Sequence, residues 1–289
     1  MLRLVNPPEV PGYTSDRDKA GGLGTMLPVG RHRSLPNLPP LDLLYAAGIA
    51  ERAGIKVEII DALGEKLSAE GVFKRLEEVF GPLSSAEDAI GVRLALPSLE
   101  EDLELAKTIR ARFPRNRVFL FGNVLRSLRE KARIPGVDLL FGEAEALILP
   151  YLRGEELPEE WAFVEDLDSL PFPAWHLLPL QNYAPKGRIA SGVFALSTSR
   201  GCPRACPMCP YAQLQGRQWR FQSPERVLSE LDWLFRLGIR TVQTRDPNIG
   251  INRARLLALA EGLIRRPYRM RLVMETDLET LDEELLKTL

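Results

Sequence analysis

The stretch from Ser199 to Tyr211 contains every cysteine in the sequence. Cys202, Cys206 and Cys209 are separated by three and then by two residues, with prolines between and after them. Thiolate sulfur is a strong ligand for soft and borderline metals, and short turn-rich segments can present several thiolates to one centre. Three inert cysteines are not expected so close together in one loop. The pattern therefore indicates a metal or cluster site that uses all three thiols.

Other functions for the three thiols fit the sequence less well. A structural zinc site uses four protein ligands, and His176 would have to fold back to complete this motif, which has no histidine of its own. A redox pair of Cys206 and Cys209 would leave Cys202 unused. An odd number of cysteines argues against a disulfide framework. An iron–sulfur cubane held by three thiolates leaves one iron open to a small molecule, and the sequence favours this site.

The bulk composition is that of a globular protein without a polyanionic partner. The chain has 289 residues, which suits two domains, with 45% hydrophobic and 27% charged residues. Its 38 basic and 39 acidic residues give a net charge of −1, which offers no electrostatic case for nucleic acid or an anionic membrane. No long apolar run or signal-peptide pattern occurs. We therefore expect a soluble cytoplasmic protein that binds neither nucleic acid nor membranes.

The elements that must position the cysteines begin with a regular alternation of strands and helices. Strands are predicted over residues 2–5, 56–61, 89–96, 117–121 and 137–141. Helices are predicted over residues 41–54, 68–80, 98–112, 126–133 and 145–153. Ser98 is the predicted N-cap of the third helix. This alternation predicts right-handed crossovers and a parallel sheet covered on both faces, so residues 1–154 are expected to form a flavodoxin-like doubly wound α/β domain.

Ligands of doubly wound sheets bind beyond the carboxyl ends of the strands, and several loop residues are predicted there. The candidates are Pro8, Ser98, Gly122, Asn123, Gly142 and Glu143. A loop of roughly 30 residues follows Pro8, and a loop of that length is either functional or disordered. The alternative for the glycines is that they only make tight turns. The Gly21-Gly22-Leu23-Gly24 run does not lie between a strand and a helix, so it does not indicate a dinucleotide site.

The second part of the chain repeats the alternation. Residues 155–192 form a connector rich in proline and aromatic residues, which is predicted to pack along the junction of two domains. Strands follow at 193–198, 241–244 and 269–275, and helices are predicted to begin at Ser223, Asn252 and Asp282. A closed barrel takes about eight such units. Residues 193–289 are therefore expected to be an incomplete (βα) barrel, either an unusually small domain or a fragment of a longer protein.

The cysteine segment resembles the cluster motif of the radical S-adenosylmethionine (SAM) enzymes. The spacing agrees, and so does the position after the first strand of a partial (βα) barrel. The resemblance implies a 4Fe-4S cluster with Cys202, Cys206 and Cys209 as its ligands. In that family SAM binds the open iron, and an electron from the cluster cleaves it to methionine and a 5′-deoxyadenosyl radical. An electron donor such as flavodoxin or ferredoxin is implied as a partner.

The resemblance also implies residues that bind SAM. In the family, the residue before the third cysteine is usually aromatic, and its backbone helps to hold the adenine. Here that residue is Met208, and Tyr211 follows Cys209 by two places. Other SAM contacts in the family come from the ends of the next strands, where this sequence has Asp246 and Glu275. The alternative for both acids is that they stabilise the N-termini of helices.

Outer motifs resemble the subgroup of these enzymes that has an N-terminal cobalamin-binding domain. The matching segments are Asn6-Pro7-Pro8, Pro40-Leu41, Gly142-Glu143, Asp166 to Pro173, Tyr211, Gln215-Gly216, Arg220, Ser223-Pro224-Glu225 and Arg245-Asp246-Pro247. The resemblance covers essentially the whole chain and implies cobalamin across the carboxyl ends of the first sheet. The loop Asp-x-His-x-x-Gly, by which some cobalamin proteins ligate cobalt, is absent. No histidine ligand to cobalt is therefore expected, although His32 keeps that alternative open.

The resemblance implies an enzyme that methylates an unactivated carbon of a small molecule, such as a natural product, a lipid or a cofactor precursor. A cobalamin-dependent rearrangement or ring closure is an alternative within the family. Methylthiotransferases need further cysteines for a second cluster, and this sequence has none. A third alternative is a truncated, non-catalytic chain that only binds cobalamin or a cluster.

Overall fold

The structure is a computed structural model that describes residues 1–17, 23–30, 38–80 and 88–289. The Gly21-Gly22 pair and His32, singled out above, lie outside these residues. The chain divides into two compact units. The first comprises Met1–Val164 with Leu170–Pro179, and the second comprises Glu165–Ser169 with Leu180–Leu289. Residues 155–192, the predicted connector, are thus shared between the two units.

The first unit is built from parallel strands and their crossover helices. Its strands are β1 (Leu2–Asn6), β2 (Tyr13–Asp16), β3 (Thr25–Pro28), β4 (Val57–Asp61), β5 (Ala89–Arg93), β6 (Arg117–Phe121) and β7 (Asp138–Leu139). Its helices are α1 (Leu41–Arg52), α2 (Ala62–Glu65), α3 (Ala69–Phe80), α4 (Leu99–Arg112), α5 (Leu125–Leu128) and α6 (Ala144–Leu152). The predicted strand–helix alternation is therefore confirmed.

The main sheet of this unit has the strand order β4-β1-β5-β6-β7, and its neighbouring strands run parallel. This is the flavodoxin-like order that was predicted. β1 and β5 are buried along their whole length, as expected for a parallel sheet covered on both faces. Val5, Ile90 and Val118 of the sheet share one hydrophobic core with Leu76 of α3 and Ile109 of α4.

Several predicted details of this unit are wrong. β5 ends at Arg93 and not at residue 96, because a 3₁₀ turn with a proline in its first positions occupies Leu96–Ser98. Ser98 stands at the N-cap of α4 but accepts no capping hydrogen bond; its hydroxyl instead donates to Asp102 Oδ2 at 3.2 Å. β2 and β3 pair antiparallel inside the loop that was predicted to be irregular. Their sequences lack the apolar alternation that would have revealed them.

The second unit contains the cysteines. Its strands are β8 (Phe194–Leu196), β9 (Ser199–Arg200), β10 (Arg220–Phe221), β11 (Thr241–Thr244) and β12 (Arg271–Val273). Its helices are α7 (Tyr211–Gln215), α8 (Pro224–Arg236), α9 (Arg253–Ile264) and α10 (Glu283–Thr288). β8, β11 and β12 form a parallel sheet in sequential order, and β9 pairs antiparallel with β10. The third predicted strand, 269–275, is shorter than expected.

Helix starts in this unit are confirmed by their capping hydrogen bonds. Ser223, Asn252 and Asp282 each accept a backbone N–H three residues further on, which satisfies one of the free donors of a helix N-terminus. Among the described residues of the chain, no helix has both the length and the apolar character needed to cross a bilayer.

Candidate functional site

The cysteine loop begins at the carboxyl end of β8, where a buried carboxylate holds the chain. Asp246, which follows β11, accepts the backbone N–H of Thr198 at 2.7 Å and that of Ser199 at 2.6 Å. Its second oxygen accepts the Thr198 hydroxyl at 2.7 Å. Burial raises the pKa of Asp246, and the bonds from Thr198 and Ser199 act in the opposite direction. Asp246 is 0% exposed, and both of its oxygens hold the loop entry, one through backbone N–H groups and the other through the Thr198 hydroxyl.

An arginine of α9 holds the same segment from another side. Arg255 Nη2 donates to the carbonyl oxygen of Thr198 at 2.9 Å, and its Nε donates to that of Gln222 at 2.8 Å. Burial lowers the pKa of this guanidinium, while the nearby charge of Asp246 raises it. Sequence analysis did not identify Arg255, because an arginine within an amphipathic helix has no local signal that separates it from a surface residue.

The base of the loop is fixed by backbone contacts around Gly201. This residue has φ +77°, and a Cβ atom there would overlap the carbonyl oxygen of Gln218, so only glycine fits. The Gly201 N–H donates to Gln215 Oε1 at 3.2 Å, and the Cys202 N–H donates to the carbonyl oxygen of Gly216 at 3.0 Å. The first cysteine therefore stands on a fixed backbone.

The three thiols differ in accessibility. All are free; Cys202 is buried, Cys206 is exposed, and Cys209 lies between these extremes. A turn joins the last two, since the Cys209 N–H donates to the carbonyl oxygen of Cys206 at 3.2 Å. Burial raises the pKa of the Cys202 thiol, and a hydrogen bond from the Arg204 backbone N–H acts in the opposite direction.

The chemistry of the three thiols is that of iron–sulfur cluster ligands. Within the described ranges, no group of three or more histidine, cysteine, aspartate or glutamate side chains is arranged to hold one metal ion. A cubane binds each thiolate through a different iron atom, so its ligands stand farther apart than those of one ion. Three neighbouring thiols on one loop, with the first held and the other two accessible, match that requirement in chemistry and number.

The predicted SAM contacts differ in exposure. Tyr211, the first residue of α7, is buried, and its pKa is raised mainly by burial and next by the charge of Glu275. Glu275 is exposed, and the Met208 side chain is 93% exposed. Their role in SAM binding stays a prediction.

A polar network joins the cysteine loop to the loops that follow β11 and β12. Asn248 Nδ2 donates to Asp277 Oδ2 at 2.7 Å, and the Thr276 hydroxyl donates to Asn248 Oδ1 at 2.8 Å. Arg204, between the first two cysteines, forms ion pairs of 2.9 Å with Asp277 and Glu279. Loops that follow three neighbouring strands are therefore tied together at the carboxyl edge of this sheet.

A cavity of about 330 Å³ lies elsewhere in the second unit, between the sheet and its helices. Apolar side chains such as Leu196, Leu259 and Leu272 line most of it. None of the cysteines or predicted SAM contacts borders it, so its position gives no information about the cluster chemistry.

In the first unit, two of the predicted ligand-facing residues surround a buried ion pair. Arg17 donates through two nitrogens to both oxygens of Asp102, at 2.8 and 2.7 Å. The carbonyl oxygen of Pro8 accepts a further bond from Arg17 at 3.3 Å, and the Ser98 hydroxyl donates to Asp102. Pro8 and Ser98 are thus in contact with the pair that anchors the end of β2 at the start of α4. Their contact with a ligand stays a prediction.

The other predicted residues lie after β6 and β7. Gly122 has φ +139°, and a Cβ atom there would lie 2.7 Å from the carbonyl oxygen of Leu94, so the turn into Asn123 requires glycine. Gly142 bridges to Ala162. The Glu143 carboxylate is buried and accepts the Val164 N–H at 2.8 Å, so it fixes the segment that follows α6.

Sequence analysis missed a buried polar network at the carboxyl ends of β1, β4 and β5. Asn6 Nδ2 donates to Asp61 Oδ1 at 2.7 Å, and Arg93 Nη1 donates to Asn6 Oδ1 at 3.4 Å. Arg93 also pairs with Asp42 of α1 at 2.8 Å. The available signal was the polar residue that ends each strand, Asn6, Asp61 and Arg93, since polar groups at strand ends of a buried sheet require partners.

No protein-family model matches the chain. An uncharacterized methyltransferase of Pyrococcus horikoshii is 25% identical over 276 residues, which cover 87% of this chain and 58% of that protein. Cytidylyl-2-hydroxyethylphosphonate methyltransferase of Streptomyces wedmorensis is 24% identical, over 86% of this chain and 58% of its own length. Hopanoid C-2 methylase of Rhodopseudomonas palustris is 30% identical over 118 residues, 39% of this chain and 21% of the methylase. The chain thus spans at most 58% of the length of these relatives.

Solved structures share the fold of the chain. OxsB, a cobalamin-dependent SAM radical enzyme with aqua-cobalamin bound, aligns with a TM-score of 0.72 over 99% of this chain and 41% of OxsB, at 19% identity. The radical SAM methyltransferase TsrM of Kitasatospora setae, with cobalamin and a [4Fe-4S] cluster bound, aligns with a TM-score of 0.69 over 99% of this chain and 58% of TsrM, at 17% identity. The predicted fold, a flavodoxin-like domain followed by strand–helix units of a (βα) barrel, is confirmed.

Proposed function

We propose that this chain, which is related in sequence and fold to the cobalamin-dependent radical SAM enzymes, carries the cofactor-binding residues of a methyltransferase. The proposed reaction methylates an unactivated carbon of a small molecule and uses a 4Fe-4S cluster, SAM and cobalamin. The names of two relatives, a hopanoid methylase and a phosphonate methyltransferase, support a small-molecule substrate, as does a structure of TsrM with tryptophan as substrate.

The cysteine loop is the observation that carries this proposal. Cys202, Cys206 and Cys209 are the only cysteines in the sequence, and all three stand in one loop at the carboxyl end of β8. Buried contacts of Asp246 and Arg255 hold the entry to that loop. A set of three thiols with no fourth cysteine suits a cluster that leaves one iron for SAM.

The chain's own residues would bind and orient the cofactors. When bound, the cluster and SAM supply radical chemistry, and cobalamin supplies a methyl group. We assign Cys202, Cys206 and Cys209 to the cluster. We assign the Met208 backbone, Tyr211, Asp246 and Glu275 to SAM, as predicted from the sequence; Tyr211 follows the third cysteine by two places, and Glu275 is exposed. Asp246 is fully buried, and its carboxylate also holds the loop entry.

Cobalamin is assigned to the carboxyl edge of the sheet in the first unit. The residues proposed for it are those predicted from the sequence: Pro8, Ser98, Gly122, Asn123, Gly142 and Glu143. The flavodoxin-like strand order supports this edge, because ligands of such sheets bind there. An electron donor such as flavodoxin or ferredoxin and a cytoplasmic location complete the proposal. It includes no nucleic-acid or membrane partner.

Anaerobic reconstitution with iron and sulfide tests the function. We expect about four irons per chain and an absorbance band at about 400 nm, as is typical of 4Fe-4S proteins. The reconstituted protein should also bind cobalamin and, with a reductant, release methionine and 5′-deoxyadenosine from SAM. A protein that takes up iron but neither binds cobalamin nor cleaves SAM would refute the methyltransferase proposal.

Single-residue variants give the matched control. Replacing each cysteine with serine, one at a time, should abolish SAM cleavage and lower the iron content, because serine does not replace a thiolate ligand. Ala205→Ser places the same side chain in the same exposed loop without removing a thiol, and it should retain the iron content of the wild type. Equal iron loading of Cys206→Ser and Ala205→Ser would contradict the ligand assignment.

A cobalamin-dependent rearrangement or ring closure is the alternative reaction that the sequence left open. Transfer of an isotopically labelled methyl group from SAM separates the two. A methyltransferase places the label in a product, whereas a rearrangement consumes SAM or regenerates it without labelling the product.

A further inference from the structure

The cysteine loop stands on a very short stem. β9 and β10 contribute two residues each, paired antiparallel as Arg200 with Arg220 and Ser199 with Phe221. One further bond, from the Gln222 N–H to the carbonyl oxygen of Thr198 at 2.9 Å, closes the stem. All three cysteines lie between the two strands. A two-stranded ribbon of this length is marginally stable by itself, so its geometry depends on the groups that pack against it.

Arg255 closes the open end of this stem. Its two bonds reach one carbonyl oxygen on each side, that of Thr198 before β9 and that of Gln222 after β10. The guanidinium also lies 5.6 Å from the ring centre of Phe221 and 5.8 Å from that of Trp219, within the range of cation–π attraction. Arg255 is 5% exposed, so these contacts are shielded from water.

Asp246 holds the outer side of the same strand. It accepts the backbone N–H groups of Thr198 and Ser199. The strand that leads into Cys202 is therefore bound by an acid from the loop after β11 and by a base from α9, each through its own hydrogen bonds to the backbone. Both groups are buried, so removal of either one leaves buried backbone groups without their hydrogen-bond partners.

We propose that Arg255 is a positioning residue, which holds the β9–β10 stem and thereby places Cys202 for cluster binding. Arg255 holds the stem whether or not a cluster binds, whereas the placement of Cys202 for a cluster rests on the proposed function. The planar guanidinium reaches two carbonyl oxygens at once, which a lysine ammonium on a flexible stem does not reproduce. Arg255→Lys therefore keeps the charge next to Asp246 and removes the two-sided contact.

The metal-free protein provides a direct measurement. In Arg255→Lys, we expect the Cys202 thiol to react with iodoacetamide faster than in the wild type by about tenfold, which corresponds to one lost charge-assisted hydrogen bond. The amide hydrogens of residues 199–202 should exchange faster by a similar factor. Labelling of the exposed Cys206 should not change, and this local ratio distinguishes loosening of the stem from general unfolding.

Arg253→Lys is the matched control. Arg253 is the first residue of α9, its side chain is 40% exposed, and it pairs with Asp282 and Glu284 at the start of α10. It should leave Cys202 labelling unchanged. If Arg255→Lys labels Cys202 no faster than Arg253→Lys does, the proposal is wrong.

Arg255→Met is the second variant if Arg255→Lys does not fold. Methionine is apolar and adaptable enough to occupy the buried space beside Phe221 and Trp219, and it removes both hydrogen bonds to the stem. We expect Cys202 labelling to rise by at least about tenfold relative to Arg253→Met. Equal labelling of Cys202 in the two methionine variants would overturn the proposal.

Reconstitution with iron and sulfide distinguishes the role of Arg255 in the stem from the proposed cluster function. If labelling changes as expected and the wild type takes up the cluster, Arg255→Lys should shift the electron paramagnetic resonance spectrum of the reduced cluster. If labelling changes but even the wild type fails to bind a cluster, the proposed function fails, while the role of Arg255 in holding the stem stands.

Discussion

Single residues decide the geometry of the cysteine loop, and Gly201 is the most constrained of them. Its backbone lies in the left-handed region, and the carbonyl oxygen of Gln218 occupies the place that a Cβ atom would take. Gly238 also has a positive φ, +90°, but the nearest atom to its hypothetical Cβ is a methyl of Ile189 at 3.8 Å. Alanine substitutions at the two glycines therefore distinguish the effect of backbone strain from that of steric overlap.

Gly201→Ala should lower the free energy of unfolding by at least about 2 kcal/mol and reduce the iron taken up on reconstitution, because the stem must open to admit the methyl group. Gly238→Ala should cost about 1 kcal/mol through its φ alone and leave iron uptake unchanged. Urea unfolding and iron analysis of both variants check this. Equal iron uptake by the two would show that the close approach of Gln218 does not matter for the loop.

The sequence predicted the three thiols because residue type and spacing suffice to identify them. It did not predict which acidic and which basic residue hold the entry to the cysteine loop. Asp246 was expected to contact SAM or to stabilise a helix N-terminus, and the structure buries it against Thr198 and Ser199. Arg255 lies far from the cysteines in sequence, and only the packing of α9 brings it to the stem. Long-range contacts of this kind leave no local pattern.

At the scale of elements, a buried ion pair anchors the β2–β3 hairpin to α4. Arg17 follows β2, and its side chain is about as buried as that of Asp102 in the first turn of α4, at 1% exposure each. Asp102 also accepts the Ala95 N–H at 3.0 Å. The hairpin would have few apolar contacts to hold it otherwise, since its strands have only two buried residues, Ser15 and Asp16.

Arg17→Met should destabilise the protein by about 3–5 kcal/mol, because it leaves the buried Asp102 carboxylate without its cation. Arg133→Met removes an exposed arginine of the same unit that pairs with the neighbouring Glu130, and it should leave the free energy of unfolding nearly unchanged. Urea unfolding measures both. A loss in Arg17→Met no larger than that in Arg133→Met would mean that the hairpin is held by other contacts.

Elements with strong local signals were predicted well, and elements without them were missed. The caps Ser223, Asn252 and Asp282 followed from residue type, because short polar side chains at helix starts have one dominant use. Ser98 had the same type and position, but Asp102 competes for its hydroxyl. The β9–β10 stem was missed, because two-residue strands are too short to show any alternation.

At the scale of the whole molecule, the flavodoxin-like strand order was predictable from alternation and the handedness of crossovers. The division of the chain into two units was harder to predict from the sequence. Prolines marked residues 155–192 as a connector, yet the described structure assigns 165–169 and 180–192 to the second unit and the rest to the first. Prolines indicate where helices and strands end, but they do not indicate which of the two units the chain then packs against.

Because all the cysteines lie in one loop, alkylation of thiols in the whole chain measures how much of the protein has a bound cluster. Because the sequence has thiols only at Cys202, Cys206 and Cys209, any alkylating reagent measures this one loop. Reconstituted protein should lose reactivity at all three positions under anaerobic conditions, and removal of iron with a chelator should restore three reactive thiols. Mass spectrometry counts the labels. Protection of only two thiols would contradict a cluster held by all three.

The order of β8, β11 and β12 has a consequence for biosynthesis. The strand before the cysteine loop and the cysteines themselves leave the ribosome before Asp246 and Arg255, the two residues that grip the loop entry. A nascent chain therefore displays its three thiols on an unsupported segment. Iron and sulfide delivered at that moment would meet no fixed stem, and an oxidant would meet unprotected sulfur. The proposed cluster is therefore best inserted after α9 has been translated, so that synthesis of Asp246 and Arg255 sets the earliest time for stable cofactor loading.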